Sequence, residues 1–373
     1  MSIFNATDAL YFATVTEAIN ASSAGDVLML PAGQYVEEFP LITHSLTLQG
    51  VGGMAWLTTP NPAPANDRAV LFVPFNAGAD LTVRNIEITG AVRPIYQNGA
   101  GILFETGNGH LQVEDSWIHD NENGILAGGS PGMSVSILRS EFSHNGLAPG
   151  VWTGVHGLPH NLYVNGVDSL SVVDSYFHGV KTAHELKSRA QQTTIINSRF
   201  VDGPDSQASY SIDLPNGGLA VLHGNQISKG PQSPNRYIVH YGGEAMPTWP
   251  NSSLDMVGNS LVNHRGDGAT GVFNQSRDGP SGVANPAVIT GNTFYAVQTI
   301  HQTVFGPSQL TLEDNTMLAG PGPAISSAHP FVFGAVAVLE PGTAMLLATA
   351  LVARVLHAKV TAFGMRRTAR VSG

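Results

Sequence analysis

Four short segments hold the side chains best equipped for chemistry. They are His160-Asn161-Leu162-Tyr163-Val164-Asn165, His184-Glu185-Leu186-Lys187-Ser188-Arg189, Tyr210-Ser211-Ile212-Asp213-Leu214 and Tyr237-Ile238-Val239-His240-Tyr241. All fall within 156–244, the densest polar stretch of the chain. Lysine, arginine, carboxylates and imidazoles together suit removal of the proton alpha to a uronate carboxyl. That step needs a base of tuned pKa and a cation to neutralise the enolate-like charge. Lys187 is one of four lysines, with 181, 229 and 359, and it sits mid-strand between carboxylates. The same residues also fit a ladder of paired surface charges that stabilises a sheet face by a few tenths of a kcal/mol per pair.

Each segment alternates like a strand. Alternation places Leu186 inward and Glu185, Lys187 and Arg189 outward, and it turns Asp213, between Ile212 and Leu214, outward as well. If the segments occupy one place in successive coils, Tyr163 or Asn161, Glu185 or Lys187, Asp213 and His240 share a face. The expected catalytic set is therefore Lys187, Glu185, Asp213 and His240. His160, Asn161, Tyr163, His184, Arg189, Asn216 and Glu244 are expected to meet the substrate. No metal ligands are assigned: there is no HExxH string and no cysteine, and His119, His144 and His178 read as structural corner residues.

The coils are legible as a repeat. The phrase Leu-x-Val-x-(Asp/Asn/Gly)-(Ser/Asn)-x-(Phe/Ile/Leu) recurs with its closing apolar residue at 88, 118, 142, 177, 200, 227, 261, 294 and 317. Alternating apolar residues turn one strand face inward, and the Asp, Asn or Gly tolerates the left-handed backbone of a corner. The Ser or Asn beside it can stack on its counterpart one coil away, about 4.8 Å along the axis. The shortest spacing, 23, is one minimal coil, and the excess elsewhere makes loops, expected after Ile88, Phe142, Ile227 and Leu261. A single coil cannot bury its own face, so coils must stack. The fold class expected is all-β, a single-stranded right-handed parallel β-helix, with a short N-terminal capping helix over Val15–Ala21 to cover the raw end.

Two regions are distinguished: the β-helix with its cap over 1–325, and a tail over 326–373. The tail's Ala344–Ala358 is apolar-rich, and residues 341–373 carry five basic residues and no acid, so the other 340 residues hold 12 basic against 27 acidic. A body this acidic does not suit a phosphate backbone, and nucleic acid is not an expected partner. The first basic residue is Arg68, so no basic n-region of a signal peptide is visible.

Several resemblances follow from these strings. The helix followed by Gly25-Asp26 and Pro31-Ala32-Gly33-Gln34-Tyr35 resembles the start of pectate-lyase-like β-helices. Glu185-Leu186-Lys187-Ser188 with Thr194–Phe200 resembles the lyase strand of alginate lyases of the chondroitinase B type. That resemblance implies Lys187 as base and calcium, held by acidic and Asn side chains, as the neutralising cation. The family's arginine one coil later has no counterpart, because the next coil reads Ser211-Ile212-Asp213-Leu214-Pro215-Asn216-Gly217-Gly218. His160-Asn161, Lys187-Ser188-Arg189-Ala190 and Asp213–Gly218 also resemble an uncharacterised group of bacterial β-helix proteins. Glu340-Pro341, the apolar stretch and Arg366-Arg367 resemble a degenerate PEP-CTERM sorting tail, which implies attachment at a membrane or cell surface; an amphipathic helix capping the last coil, or a disordered tail, is the other reading of that segment.

The polygalacturonase strings Asn-Thr-Asp, Asp-Asp and Gly-His-Gly are absent, as are the pectate lyase strings W-x-D-H and R-x-P-x-x-R. Glu185 and Asp213 leave hydrolysis open as a carboxylate pair. Two function classes remain. One is an extracellular or cell-envelope bacterial enzyme that cleaves an acidic polysaccharide by β-elimination. The other is a non-catalytic carbohydrate-binding or surface-structural β-helix.

Overall fold

The computed structural model describes residues 2–61, 66, 68–93, 98–148, 157–244, 249–277, 283–306 and 309–330. The apolar and basic segment expected as a sorting tail lies outside them. The described chain is a parallel β-helix. Each coil contributes two short strands to a 22-stranded sheet and one to a nine-stranded sheet. The first two faces form one sheet because the long strand Leu46–Thr58 turns the corner and pairs with both Leu81–Arg84 and Ile86–Thr89.

The repeat phrases stack in register. Ile88, Ile118, Phe142, Phe177, Phe200, Ile227, Leu261, Phe294 and Met317 are successive ladder partners. Phe142, Phe177 and Phe200 lie nearly parallel with centroids 4.7 and 4.9 Å apart, so the coil rise itself sets their offset stacking. The corner before each closing strand has positive φ at Asn85, Asp115, Asp174, Asn197, Gly224, Gly258, Gly291 and Asp314, as the phrase requires. Arg139 holds the same conformation without being a favoured residue there, and its guanidinium pairs with Asp115 of the preceding coil.

Beside the corner runs a buried polar ladder. The Ser140 hydroxyl accepts from Ser116 N, Ser175 from Ser140, Ser198 from Ser175, and then Asn225, Asn259, Asn292 and Asn315 continue the series. Each side chain satisfies a backbone N–H that the turn removes from the sheet.

The helix Val15–Ala21 caps the N-terminal end, burying Val15, Ala18 and Ile19, with Thr14 as N-cap accepting from Glu17 N. The other end differs: Leu310, Leu312 and Met317 are exposed, although their partners Ala287, Ile289 and Phe294 are buried. Residues 326–330, expected to belong to the tail, are held against the solenoid. Arg199 donates to Ser326 O at 2.6 Å and to Ala328 O, and His329 Nδ1 meets Glu141 Oε2. Among the described residues no helix is long and apolar enough to cross a membrane.

The longest insertions flank the nine-stranded sheet on both sides. Segments 90–99 and 144–161 precede its strands, as expected after Ile88 and Phe142, whereas 230–236, after Ile227, is no longer than the ordinary 202–209. The excess expected after Leu261 falls instead at 276–286, beyond the strand Ala269–Gln275, and 243–252 occupies the same place one coil earlier.

Candidate functional site

The nine-stranded sheet carries the expected cluster on its outward side. Leu162, Leu186, Ile212 and Val239 are successive ladder partners in the core. The residue after each therefore points away from the core, and Tyr163, Lys187, Asp213 and His240 are likewise matched one to the next. Residues 77 positions apart in sequence thus become a line of side chains at the strand spacing of about 4.8 Å.

Asp213 is the centre of this line. Its Oδ1 lies 2.7 Å from His240 Nδ1, and its Oδ2 lies 3.2 Å from Lys187 Nζ and 3.3 Å from His184 Nε2. The two contacts to Oδ2 are close but off the hydrogen-bond axis, which leaves that buried oxygen ionically paired without a directed donor. Burial pushes the Asp213 carboxyl up, but His184, His240 and Lys187 outweigh it and hold the group well below the usual carboxylate range. Asp213 is thus a fixed anion.

The imidazoles differ in role. His184 Nδ1 accepts from Tyr210 N at 3.1 Å, so Nε2 carries the ring proton toward Asp213. Burial drives His184 down to about 4, and burial also drives His160 well below its ordinary value, so both rings are neutral at pH 7. They stack at 5.0 Å, and the stack continues through Tyr210 to His240 at 5.1 and 4.5 Å. His240 faces Asp213 through Nδ1 and Gln275 Oε1, at 3.0 Å, through Nε2.

A second row lies one step along the strands. Arg189 donates Nε to the Tyr163 hydroxyl at 2.9 Å, Nη1 to Asn216 Oδ1 at 2.6 Å, and Nη2 to Glu244 Oε2. The other oxygen of Glu244 accepts from Lys187 Nζ at 2.8 Å. One carboxylate therefore bridges two cations. Burial raises the Glu244 carboxyl, and the Lys187 hydrogen bond and charge outweigh it, so the net shift is downward. Glu244 reaches this position from a tight Gly242-Gly243 turn with φ of +81° and +104°. A Cβ on Gly242 would lie 2.4 Å from Ser276 Cα, so only glycine permits this approach.

Two expected residues are elsewhere. Glu185 and Asn161 point into the corner of the coil, not onto the outer face. Asn121, Asn145 and Asn161 form a second internal ladder, accepting in turn from the backbone N–H of Ala91, Asn121 and Asn145, and Glu185 terminates it. Glu185 accepts from Asn161 Nδ2, from Val180 N at 3.2 Å and from Ser206 Oγ at 3.3 Å. Burial, with Asp202 nearby, pushes Glu185 up to about 8 despite these three donors. Strict alternation fails here because the strand begins at His184 directly after Ala183, whose φ of +61° belongs to the corner. Glu185 cannot then pair with Asp213 on one face, and the carboxylate pair that left hydrolysis open is absent. Lys187 does lie between two carboxylates, but they are Asp213 and Glu244.

His160, Tyr163, His184, Arg189, Asn216 and Glu244 all lie at the cluster. Tyr210, Gln275 and Trp249 were not anticipated. Trp249 donates its indole N–H to Arg189 O at 2.9 Å and packs 3.5 Å from the position of a Gly166 Cβ. Tyr210 had a visible signal, since it opens its strand at the position of His184.

Calcium does not fit this cluster. The ion takes six to eight oxygen ligands. Here the Asp213 oxygens face Lys187, His184 and His240, and the Glu244 oxygens face Lys187 and Arg189. Among the described residues no group of three His, Asp or Glu is arranged to hold a metal.

No protein-family profile and no curated protein matches the chain. Three solved structures are similar in chain path. One is a mutant of an alginate lyase of family PL6, with 15% identity and a TM-score of 0.41 over 82% of this chain. The chain spans 38% of that protein's length. Another is the A-module of a mannuronan C-5 epimerase from Azotobacter vinelandii, with 15% identity, a TM-score of 0.41, and coverage of 82% of this chain and 94% of that one. The third is a pectate lyase, with 12% identity, a TM-score of 0.43, and coverage of 84% and 76%. None of the three carries a residue's role to this chain.

Proposed function

We propose that the protein acts on an acidic polysaccharide laid along the outward face of the nine-stranded sheet, and that it cleaves the polymer by β-elimination. The observation that supports this reading is the register-matched line Tyr163, Lys187, Asp213 and His240, with Arg189 beside it. In this reading Lys187 and Arg189 neutralise a uronate carboxylate, which acidifies the adjacent C–H. Lys187, expected as the base, is paired with two carboxylates at 2.8 and 3.2 Å and acts as a fixed charge. His240, oriented by Asp213, takes the proton through Nε2 once Gln275 yields, and the same imidazolium returns it to the leaving oxygen on the adjacent carbon. A polymer of this class puts the protein at the cell envelope or outside it.

The test is incubation of the full chain with alginate, pectate and glycosaminoglycans, following the 4,5-unsaturated product near 235 nm. His240→Asn and Lys187→Ala are both expected to abolish product. Loss in the Lys187 variant alone would return the base role to that amine.

A second reading, a non-catalytic binding protein, is favoured by one observation: Lys187, Arg189, Asp213 and Glu244 already neutralise one another. Binding of these polymers without any product would select it.

A further inference from the structure

Glu244 is the odd member of the charged cluster. Asp213 already neutralises Lys187 from within, and it is fully buried. Glu244 adds a second carboxylate from outside, and its side chain is 44% exposed, against 9% for Lys187 and 21% for Arg189. Its carboxylate has one oxygen on an ammonium and the other on a guanidinium. An anionic ligand's carboxylate approaching the sheet would seek the same two partners.

We propose that Glu244 is an internal occupant of a carboxylate-binding subsite formed by Lys187 and Arg189, and that a uronate binds by displacing it. The inference rests on the acidic-polysaccharide reading and adds the subsite, its ligand class and its occupant. Three features carry it. Exchange of one carboxylate for another conserves the charge and hydrogen-bond count at both cations, so the swap avoids the cost of stranding a buried charge. The subsite is already built, because Arg189 is held by the Tyr163 hydroxyl and Asn216 Oδ1 independently of Glu244. The Glu244 backbone has its own anchor, N–H to Pro215 O at 3.2 Å, so the side chain can leave while the turn stays. A neutral sugar has no group to offer in exchange, which makes the displacement selective for acids.

A tethered carboxylate competes as an internal ligand at millimolar effective concentration or above, so its removal should tighten uronate binding about 10-fold. The experiment is calorimetric titration of the full chain with hexamannuronate, hexagalacturonate and the uncharged cellohexaose. Glu244→Gln and Glu244→Asp, the latter too short to reach both cations, are compared with the parent. Glu105→Gln serves as a charge control, since it removes one acid from the ion pair with Arg68 away from the cluster. The expected result is about 10-fold tighter binding of an acidic hexamer in both Glu244 variants, less than 2-fold change in Glu105→Gln, no gain for cellohexaose, and loss of binding in Arg189→Ala. Unchanged or weaker binding in the Glu244 variants, with Arg189→Ala still impaired, overturns the displacement while the polysaccharide reading stands. An equal gain in Glu105→Gln also overturns it, by reducing the effect to net charge. Absence of binding by every variant overturns both.

Discussion

Asp213 Oδ1 and His240 Nδ1 meet at 2.7 Å because the two residues are ladder partners on adjacent coils. A dyad separated by 27 residues is thus fixed by backbone register, with no loop needed to bring it together. The carboxylate is charged throughout the neutral range, and its loss should be felt first as stability. Asp213→Asn leaves Lys187 and two imidazoles around a neutral amide, and is expected to cost about 3–5 kcal/mol, read from urea denaturation at pH 7. The folded carboxyl is depressed, so its contribution is complete above the unfolded value near 4 and is lost as pH falls below it. The parent and the variant should therefore converge in stability only under acid.

Glu185 should give the opposite dependence. Its folded pKa of about 8 lies above the unfolded value near 4.5, so between these limits the folded state binds the extra proton. Stability then falls as pH rises from about 4.5 to 8, with a slope approaching about 1.4 kcal/mol per pH unit. His184 contributes in the reverse sense between about 4 and 6.5, and Lys229, lowered to about 7 mainly by burial, does so above 7. The clean measurement is the difference between Glu185→Gln and parent across pH 5–9. The variant should gain relative stability as pH rises, and a flat difference would show that Glu185 is ionised throughout.

The corner ladder makes a second stability prediction. Asn259 accepts from Asn225 N at 2.9 Å and donates to Leu222 O at 2.7 Å and to Asn292 Oδ1 at 2.8 Å, all buried. Asn259→Ala removes the acceptor of Asn225 N and the donor to Leu222 O, at about 1–3 kcal/mol each before water or relaxation recovers part of it, while Asn292 Oδ1 keeps the backbone N–H of residue 259. The melting temperature should drop by several degrees. Asn259→Ser should recover part of the loss, because serines hold the same place at 140, 175 and 198.

Arg199 should matter locally. Its guanidinium holds the carbonyls of Ser326 and Ala328 and covers the Tyr176 ring at 4.4 Å. Arg199→Ala is expected to raise amide exchange over 326–329 while the exchange of the core strands is unchanged. Equal protection in the variant would mean that His329 and its neighbours hold the segment without it.

Much of the fold was legible because the coil imposes one pattern many times. A turn residue that tolerates positive φ, a Ser or Asn beside it and a closing apolar residue each answer a separate physical demand, and nine copies leave little freedom of register. The line Lys187, Asp213, His240 was legible for the same reason. Alternation back from Leu186 turns Glu185 outward, but Ala183 at positive φ makes the start of this strand part of the corner. The preceding coil held the warning, since Asn161 and Glu185 each stand directly before a core leucine. The pairing of Glu244 with Lys187 and Arg189 had no local signal, because it depends on the path of the chain after Gly243.

The internal ladders also give the molecule a unit of growth. A serine at the corner accepts from the coil before it and donates to a carbonyl of its own coil, so every coil arrives with its own fasteners. Duplicating the segment 178–200 would present a new Ser198 to the old one and a new Phe200 to the old stack, with every interface of a kind the rod already contains. Lengthening by whole coils preserves phase, whereas inserting a single residue within a coil shifts every column after it. Selection can thus extend or shorten such a surface in discrete steps while the chemistry on the coils that remain stays in place.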